Sequence, residues 1–260
     1  MNTIRPSVLA GTFYSSDPDQ LKNQINEFLE KAKKIKGIKN PKAVIVPHAG
    51  YQYSAQVAVH AYKQLINKNF NKIFIIGPSH RVLFQGIALT NFTDWKTPLG
   101  IIQASKLWKE IQNESSFSVL NEIHTFEHSI EVQLPFLQTI LKKFTIIPLI
   151  TGRIQNHKEI AGTIINYLDE NSLLVISTDL SHYLSYKQAQ KIDNKTNKQI
   201  LNLDTEIDHE QACGADGVII SIEIAKLLKW KVKLLDYKNS GDTAYDKSKV
   251  VGYSSFIFYK

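Results

Sequence analysis

Short apolar runs alternate with helix-period segments along most of the chain. Residues 43–46 form the first run suited to a buried strand, and Val57, Ala58, Ala61, Tyr62 and Leu65 then recur on one helical face. Residues 73–76 predict a second strand, stopped by Gly77-Pro78. Runs at 146–150 and 173–176 repeat the theme around a helix predicted over 159–168. Further on, a helix from about 218 to 228 precedes strands at 232–235 and 250–258. An earlier helix starts at Asp17-Pro18, where the aspartate caps and the proline fits the first turn. Its inward face is Leu21, Ile25, Phe28 and Leu29. Residues 86–118 are less regular and predict extra strands or an excursion over a pocket. Strand–helix alternation requires crossover connections. The fold class expected is therefore α/β, with a mostly parallel central sheet flanked by helices in a single domain.

Composition narrows the picture. The 260 residues suffice for one buried core, and 43% hydrophobic with 21% charged residues is ordinary globular usage. No apolar run reaches the roughly 18 residues that a membrane crossing needs. Residues 1–13 carry only Arg5 as a charge and no long apolar stretch, unlike a signal peptide. A single cysteine excludes an internal disulfide framework and fits a reducing, cytoplasmic setting. The net charge of +7 raises nucleic-acid binding, but the lysines are scattered rather than gathered into a stripe. Lys31, Lys33, Lys34, Lys36 and Lys39 follow a helix and read as its solvated face and exit. Neither a nucleic-acid nor a membrane partner is expected.

The candidate chemistry collects at strand ends. In open α/β sheets ligands bind beyond the carboxyl ends of the strands. Residues 44–47 deliver His48 there, 73–76 deliver Gly77-Pro78-Ser79-His80, and 175–176 deliver Ser177, Thr178, Asp179 and then Ser181-His182. Three strands that each run into a histidine point to one shared site. The only thiol, Cys213, precedes a predicted helix N-terminus, a position that can lower its pKa toward the thiolate a metal needs. On its own it would read as a small buried hydrophobe. Imidazoles with a thiolate suit iron, copper or zinc. Asp179 either orients an imidazole, ligates directly or caps its loop.

A rival pattern is His124-Thr125-Phe126-Glu127-His128, which matches the H-x-x-E-H arrangement of some zinc peptidases. That arrangement needs continuous helix and a further ligand. Here residues 127–131 read as a helix start, with Leu134, Leu137 and Leu141 continuing it past Pro135, so the peptidase reading is set aside. Glu127 and His128 stay candidates for the pocket wall. His60 reads as packed or surface, and His157 and His209 as solvated. No G-x-S-x-G, P-loop or G-x-G-x-x-G is present, so no nucleotide cofactor is expected.

Ordered motifs make the chain resemble one family. Arg5-Pro6 with residues 10–14 (AGTFY), residues 47–51 (PHAGY) with Tyr53-Ser54, and residues 77–80 (GPSH) look like the opening signatures of the Memo family. Residues 127–131 with 134–137, 179–183, Ala212-Cys213-Gly214, Tyr237 with Ser240-Gly241-Asp242, and 250–253 continue the set. The resemblance runs from Arg5 to the C-terminus and implies one Memo-like domain over 1–260, with a fold like that of class III extradiol dioxygenases. It implies metal binding by His48, His80 and Cys213, with iron expected and copper as the alternative. It also implies His182 and Asp179 as catalytic residues, His182 moving protons and Asp179 orienting it. The function expected is a metal-dependent oxidoreductase of unknown substrate. The alternative is a binding module that holds a peptide or small anion. A functional link to a radical-SAM protein also follows from the resemblance. The dioxygenases hold Fe(II) by two histidines and a carboxylate, so a thiolate in that place puts ring cleavage in doubt.

Overall fold

The computed structural model describes residues 3–244 and 246–260. In chain order the first elements are β1 (Ile4–Arg5), α1 (Pro18–Lys31), β2 (Pro41–Val46), α2 (Tyr51–Leu65) and β3 (Lys72–Pro78). The irregular region holds β4 (Ile87–Leu89), β5 (Asp94–Thr97), β6 (Gly100–Ala104), α3 (Trp108–Ile111) and β7 (Phe117–Val119). After α4 (Asn121–Thr125), a single 3-10 turn at Glu131–Gln133 leads into α5 (Leu134–Ile140). Then come β8 (Thr145–Thr151), α6 (His157–Tyr167), β9 (Ser172–Ser177), β10 (His182–Leu184) and α7 (Tyr186–Leu201). The chain closes with α8 (Ala215–Leu227), β11 (Lys231–Asn239), α9 (Ser240–Thr243) and β12 (Val250–Tyr259).

At the centre of the sheet, β8, β3, β9 and β2 run parallel, with Ile75 between Pro148 and Val175, and Val175 beside Val44. The expected parallel α/β core is present, and the sheet as a whole is mixed. β12 lies antiparallel beside β2 and carries β11 and β10, both antiparallel to it. A short link through α9 joins β11 to β12, and short connections produce antiparallel pairs. On the opposite side β6, β5 and β1 extend the sheet, and β4 pairs with β8. Residues 86–118 thus supply extra strands.

Side chains on each central strand alternate between two buried clusters. Val44, Ile73, Ile75, Leu173 and Val175 pack with residues of α1, α2 and α5, such as Ile25, Ala58 and Phe136. Ala43, Phe74, Ile76, Leu174 and Ile176 pack with residues of α6 and α8, such as Ile160 and Val218. The sheet is therefore covered on both faces, as near-continuous apolar strands require.

Local chemistry explains several boundaries. Asp17 accepts the Gln20 N–H at 2.8 Å to cap α1, with Pro18 at its start. Leu21, Ile25 and Leu29 are buried as expected, whereas Phe28 only flanks the core. Pro135 sits in the first turn of α5, where its missing N–H breaks no helical bond.

Gly77, at the end of β3, lets the loop that carries residues 127–131 lie directly on the strand. A Cβ there would stand 2.5 Å from Ser129 Oγ and 2.8 Å from Ser129 Cβ. Gly77→Ala is expected to cost about 1–3 kcal/mol through overpacking. Urea unfolding of the variant beside wild type checks it, and an unchanged midpoint would show that the loop yields freely.

Candidate metal centre

His48 follows β2, His80 follows β3, and both therefore sit beyond the carboxyl edge of the parallel strands. His128 arrives from another direction, on the loop between α4 and α5. The three rings meet at right angles or stacked: His48 lies 5.1 Å from both His80 and His128, and those two stack at 4.3 Å. One nitrogen from each of the three lies within 4.8 Å of the others, a group that can hold a metal ion.

Hydrogen bonds decide which nitrogens those are. Ser177 Oγ gives its one hydrogen to Ser129 O at 2.6 Å and accepts from Gln133 Nε2 at 2.8 Å. Its contact with His48 Nδ1 at 3.0 Å must then be an N–H donated by the imidazole. Glu127 does the same for the other two rings. Its Oε1 lies 2.9 Å from His80 Nδ1 and 3.1 Å from His128 Nδ1, and the main-chain N–H groups of His80, His128 and Ser129 also donate to it. Each Nδ1 is thus engaged, which leaves the three Nε2 atoms as the ring nitrogens not held by Ser177 or Glu127. This is how proteins orient imidazoles for a metal.

Electrostatics agree with a neutral His48. Burial, reinforced by His128 and His80, pushes the His48 pKa well below its ordinary value. Burial would raise Glu127, but hydrogen bonds and charge from His128 and His80 hold its carboxyl far below the usual carboxylate range. Exposure is uneven: His48 is 1% exposed, while the side chains of His80 and His128 keep 30% and 19%. The group is closed from the sheet side and open toward solvent.

The other expected residues border this group. Cys213 Sγ lies 3.3 Å from His48 Nε2 but is not one of the three converging donors. Its thiol is pushed up to about 12 by burial and by the Asp179 charge, against donors from Asp179, Thr178 and Gly214. The lowering expected from the start of α8 is outweighed, because the sulfur is enclosed next to a carboxylate. Asp179 joins the two residues: its Oδ1 accepts the His48 N–H at 2.8 Å, and its own N–H points to Cys213 Sγ at 3.3 Å. Burial raises the Asp179 pKa, with the His182 charge opposing. His182 stands partly buried at the start of β10, paired with Val251. Behind it, Asp193 accepts the Ser181 N–H at 3.1 Å and the Tyr237 hydroxyl at 2.9 Å.

His124 does not belong. α4 ends at Thr125, so the H-x-x-E-H stretch is not one helix. His124 is fully buried and binds the Ala88 carbonyl through Nε2 at 3.0 Å, beside Trp95. His157 and His209, read as solvated, both meet Asp216 in the first turn of α8, at 2.6 and 3.2 Å. The residue that sequence reasoning left without a role is His128. Its signal was the neighbouring Glu127, an acid beside a histidine in a loop that returns to a strand-end glycine.

The Memo-like protein family model matches residues 5–257. The chain belongs to the Memo family. A MEMO1 family protein of Aquifex aeolicus is 35% identical over 98% of this chain and 99% of its own. One from Thermoplasma volcanium is 35% identical over 98% of each. Among solved structures, an uncharacterized protein from Escherichia coli K12 shares the fold with a TM-score of 0.50. It is 10% identical and covers 83% of this chain and 99% of its own. Within this Memo-family chain, no helix among the described residues is long and apolar enough to cross a membrane.

Burial lowers the His124 pKa to about 4, against the Ala88 hydrogen bond. Unfolding exposes an imidazole with a value near 6.5, so the unfolded chain binds more protons between about pH 6.5 and 4. Stability from this group is present above that window and is lost as pH falls through it, on the order of 3 kcal/mol in all. His124→Gln is expected to flatten the profile, which urea midpoints from pH 7 to 4.5 measure.

Proposed function

We propose that this Memo-family chain binds a redox metal at His48, His80 and His128 and works as a metal-dependent oxidoreductase. The observation that carries the reading is that one nitrogen from each of three histidines lies within 4.8 Å of the others, with the rings oriented through Nδ1 by Ser177 and Glu127. A cation bound there would take the imidazole lone pairs, that of His48 Nε2 in place of the Cys213 thiol it meets at 3.3 Å. Imidazole sets suit iron and copper, so iron is the first choice and copper the alternative. Glu127 is engaged by main-chain donors and by two rings, which makes it an orienting group.

A bound iron or copper ion supplies one-electron redox chemistry and open coordination positions for a small ligand. The protein's part is to hold neutral imidazoles in place, to keep the sheet side of His48 dry, and to leave the His80–His128 side open. Cys213, the third ligand expected from the resemblance, stands as a neighbouring thiol that donates toward His48 Nε2. His182 is the proposed proton carrier, with Asp179 linking its surroundings to His48. A radical-SAM protein as working partner is part of this proposal through the family resemblance.

A second reading is a binding module for a peptide or small anion. It is favoured by large apolar side chains left exposed beside the site histidines: Leu83 at 84%, Phe126 at 59% and Tyr183 at 71%. Such a module would bind its ligand equally well after chelation.

Metal content after anaerobic purification and reconstitution with Fe(II) or Cu tests the proposal. Wild type is expected to hold close to one ion. His48→Ala and His128→Ala are expected to lose it, and Glu127→Gln to weaken it by about 10–100-fold. Cys213→Ser separates the roles: loss of metal makes the thiol a ligand, and retention with an altered spectrum makes it a neighbour. A wild type that stays metal-free after reconstitution would shift the reading to the binding module.

A further inference from the structure

Residues 9–15 form a loop tied down at both ends. Glu131 accepts the main-chain N–H of Val8 and Leu9 at 3.0 and 2.9 Å and the hydroxyl of Tyr14. Inside the loop, Thr12 and Phe13 donate to Leu9 O, and Gly11 donates to Tyr14 O with a φ of +87° that suits glycine. Tyr51 N–H donates to Phe13 O at 2.8 Å, in the turn that follows His48. The Phe13 ring then meets the His128 ring at 5.3 Å and 61°, an edge-to-face geometry.

Phe13 therefore touches both arms of the candidate centre. Its backbone is bound to the turn beyond His48, and its ring rests on His128, whose other ring neighbours are His48 and His80. On the outer side of the loop lies a cavity of about 380 Å³ lined by Phe13, Tyr14, Gln24 and Gln52. Phe13 also packs against the buried cluster that contains Tyr14 and Tyr51, so the anchored backbone, that cluster and His128 together hold the ring. We propose that Phe13 is a positioning residue for the metal: it fixes the plane of the His128 imidazole and so the direction of its free Nε2. This rests on the three-histidine reading above.

The test uses Co(II) as a spectroscopic probe on the full chain, with affinity and the visible ligand-field bands as readouts. Phe13→Ala is expected to weaken Co(II) binding by about tenfold and to shift the bands. Phe13→Tyr, which keeps the ring, is expected to restore both. The thermal midpoint of the metal-free variants serves as the control for packing. Equal affinity and spectrum in Phe13→Ala would overturn the assignment. So would a loss of binding that Phe13→Leu fully restores, because volume alone would then suffice. A wild type that takes up no cobalt would instead defeat the metal reading itself, an outcome separable from either.

Discussion

Arg5 and Glu131 form an ion pair with both side chains fully buried, and much of the site side of the molecule is arranged around it. Arg5 Nε donates to His124 O at 3.1 Å, Nη2 donates to Glu127 O at 2.7 Å, and the guanidinium lies 4.7 Å from the Trp95 ring. Glu131 in turn takes the N-terminal loop through Val8, Leu9 and Tyr14. Two charges are costly to bury, and removing one partner of such a pair typically costs about 3–5 kcal/mol. The pair persists because Nε, Nη1 and Nη2 of Arg5 each also find a main-chain acceptor, in His124, Pro6 and Glu127. Its effect is geometric: it presses the start of the chain onto the 124–131 loop and so holds Glu127 where both imidazoles can reach it.

From that anchor the site divides into a rigid half and a looser half. His48 is fixed by Ser177, which is itself saturated by Gln133 and Ser129 and backed by Tyr62 on Gln133 Oε1 at 2.8 Å. His80 and His128 depend on one carboxylate and remain partly open to solvent. A stacked aromatic column of Tyr51, Phe136 and Tyr62 lies under this region, with ring centroids 4.6 and 4.8 Å apart. Preorganisation on one side with access on the other is what a ligand-exchanging centre requires.

Much of this was legible in the residues, for physical reasons. Apolar runs at 43–46, 73–76 and 173–176 have nothing polar to spare, so they are strands covered on both faces, and whatever follows them stands at the carboxyl edge. His48, His80 and Asp179 were found that way. Helix α7 was missed because its buried face includes Asp193, Thr196 and Asn197, which blunts the apolar periodicity. His128 was read only as a candidate for the pocket wall, because its place among the converging histidines depends on a loop path set by Gly77 and Arg5, contacts far apart in sequence. The Cys213 thiol followed helix-terminus logic in the sequence and burial logic in the fold, where desolvation beside Asp179 dominates.

The position of β12 carries a consequence for synthesis. Val250–Tyr259 is the last of the described strands to leave the ribosome, yet it lies inside the sheet, bonded to β2 on one edge and to β11 and β10 on the other. Gly252 also receives the Leu180 N–H at 2.8 Å, so the loop before His182 gains this hydrogen bond only then. Until that moment β2 presents an unpaired apolar edge to any passing chain, the kind of surface from which edge-to-edge aggregation starts.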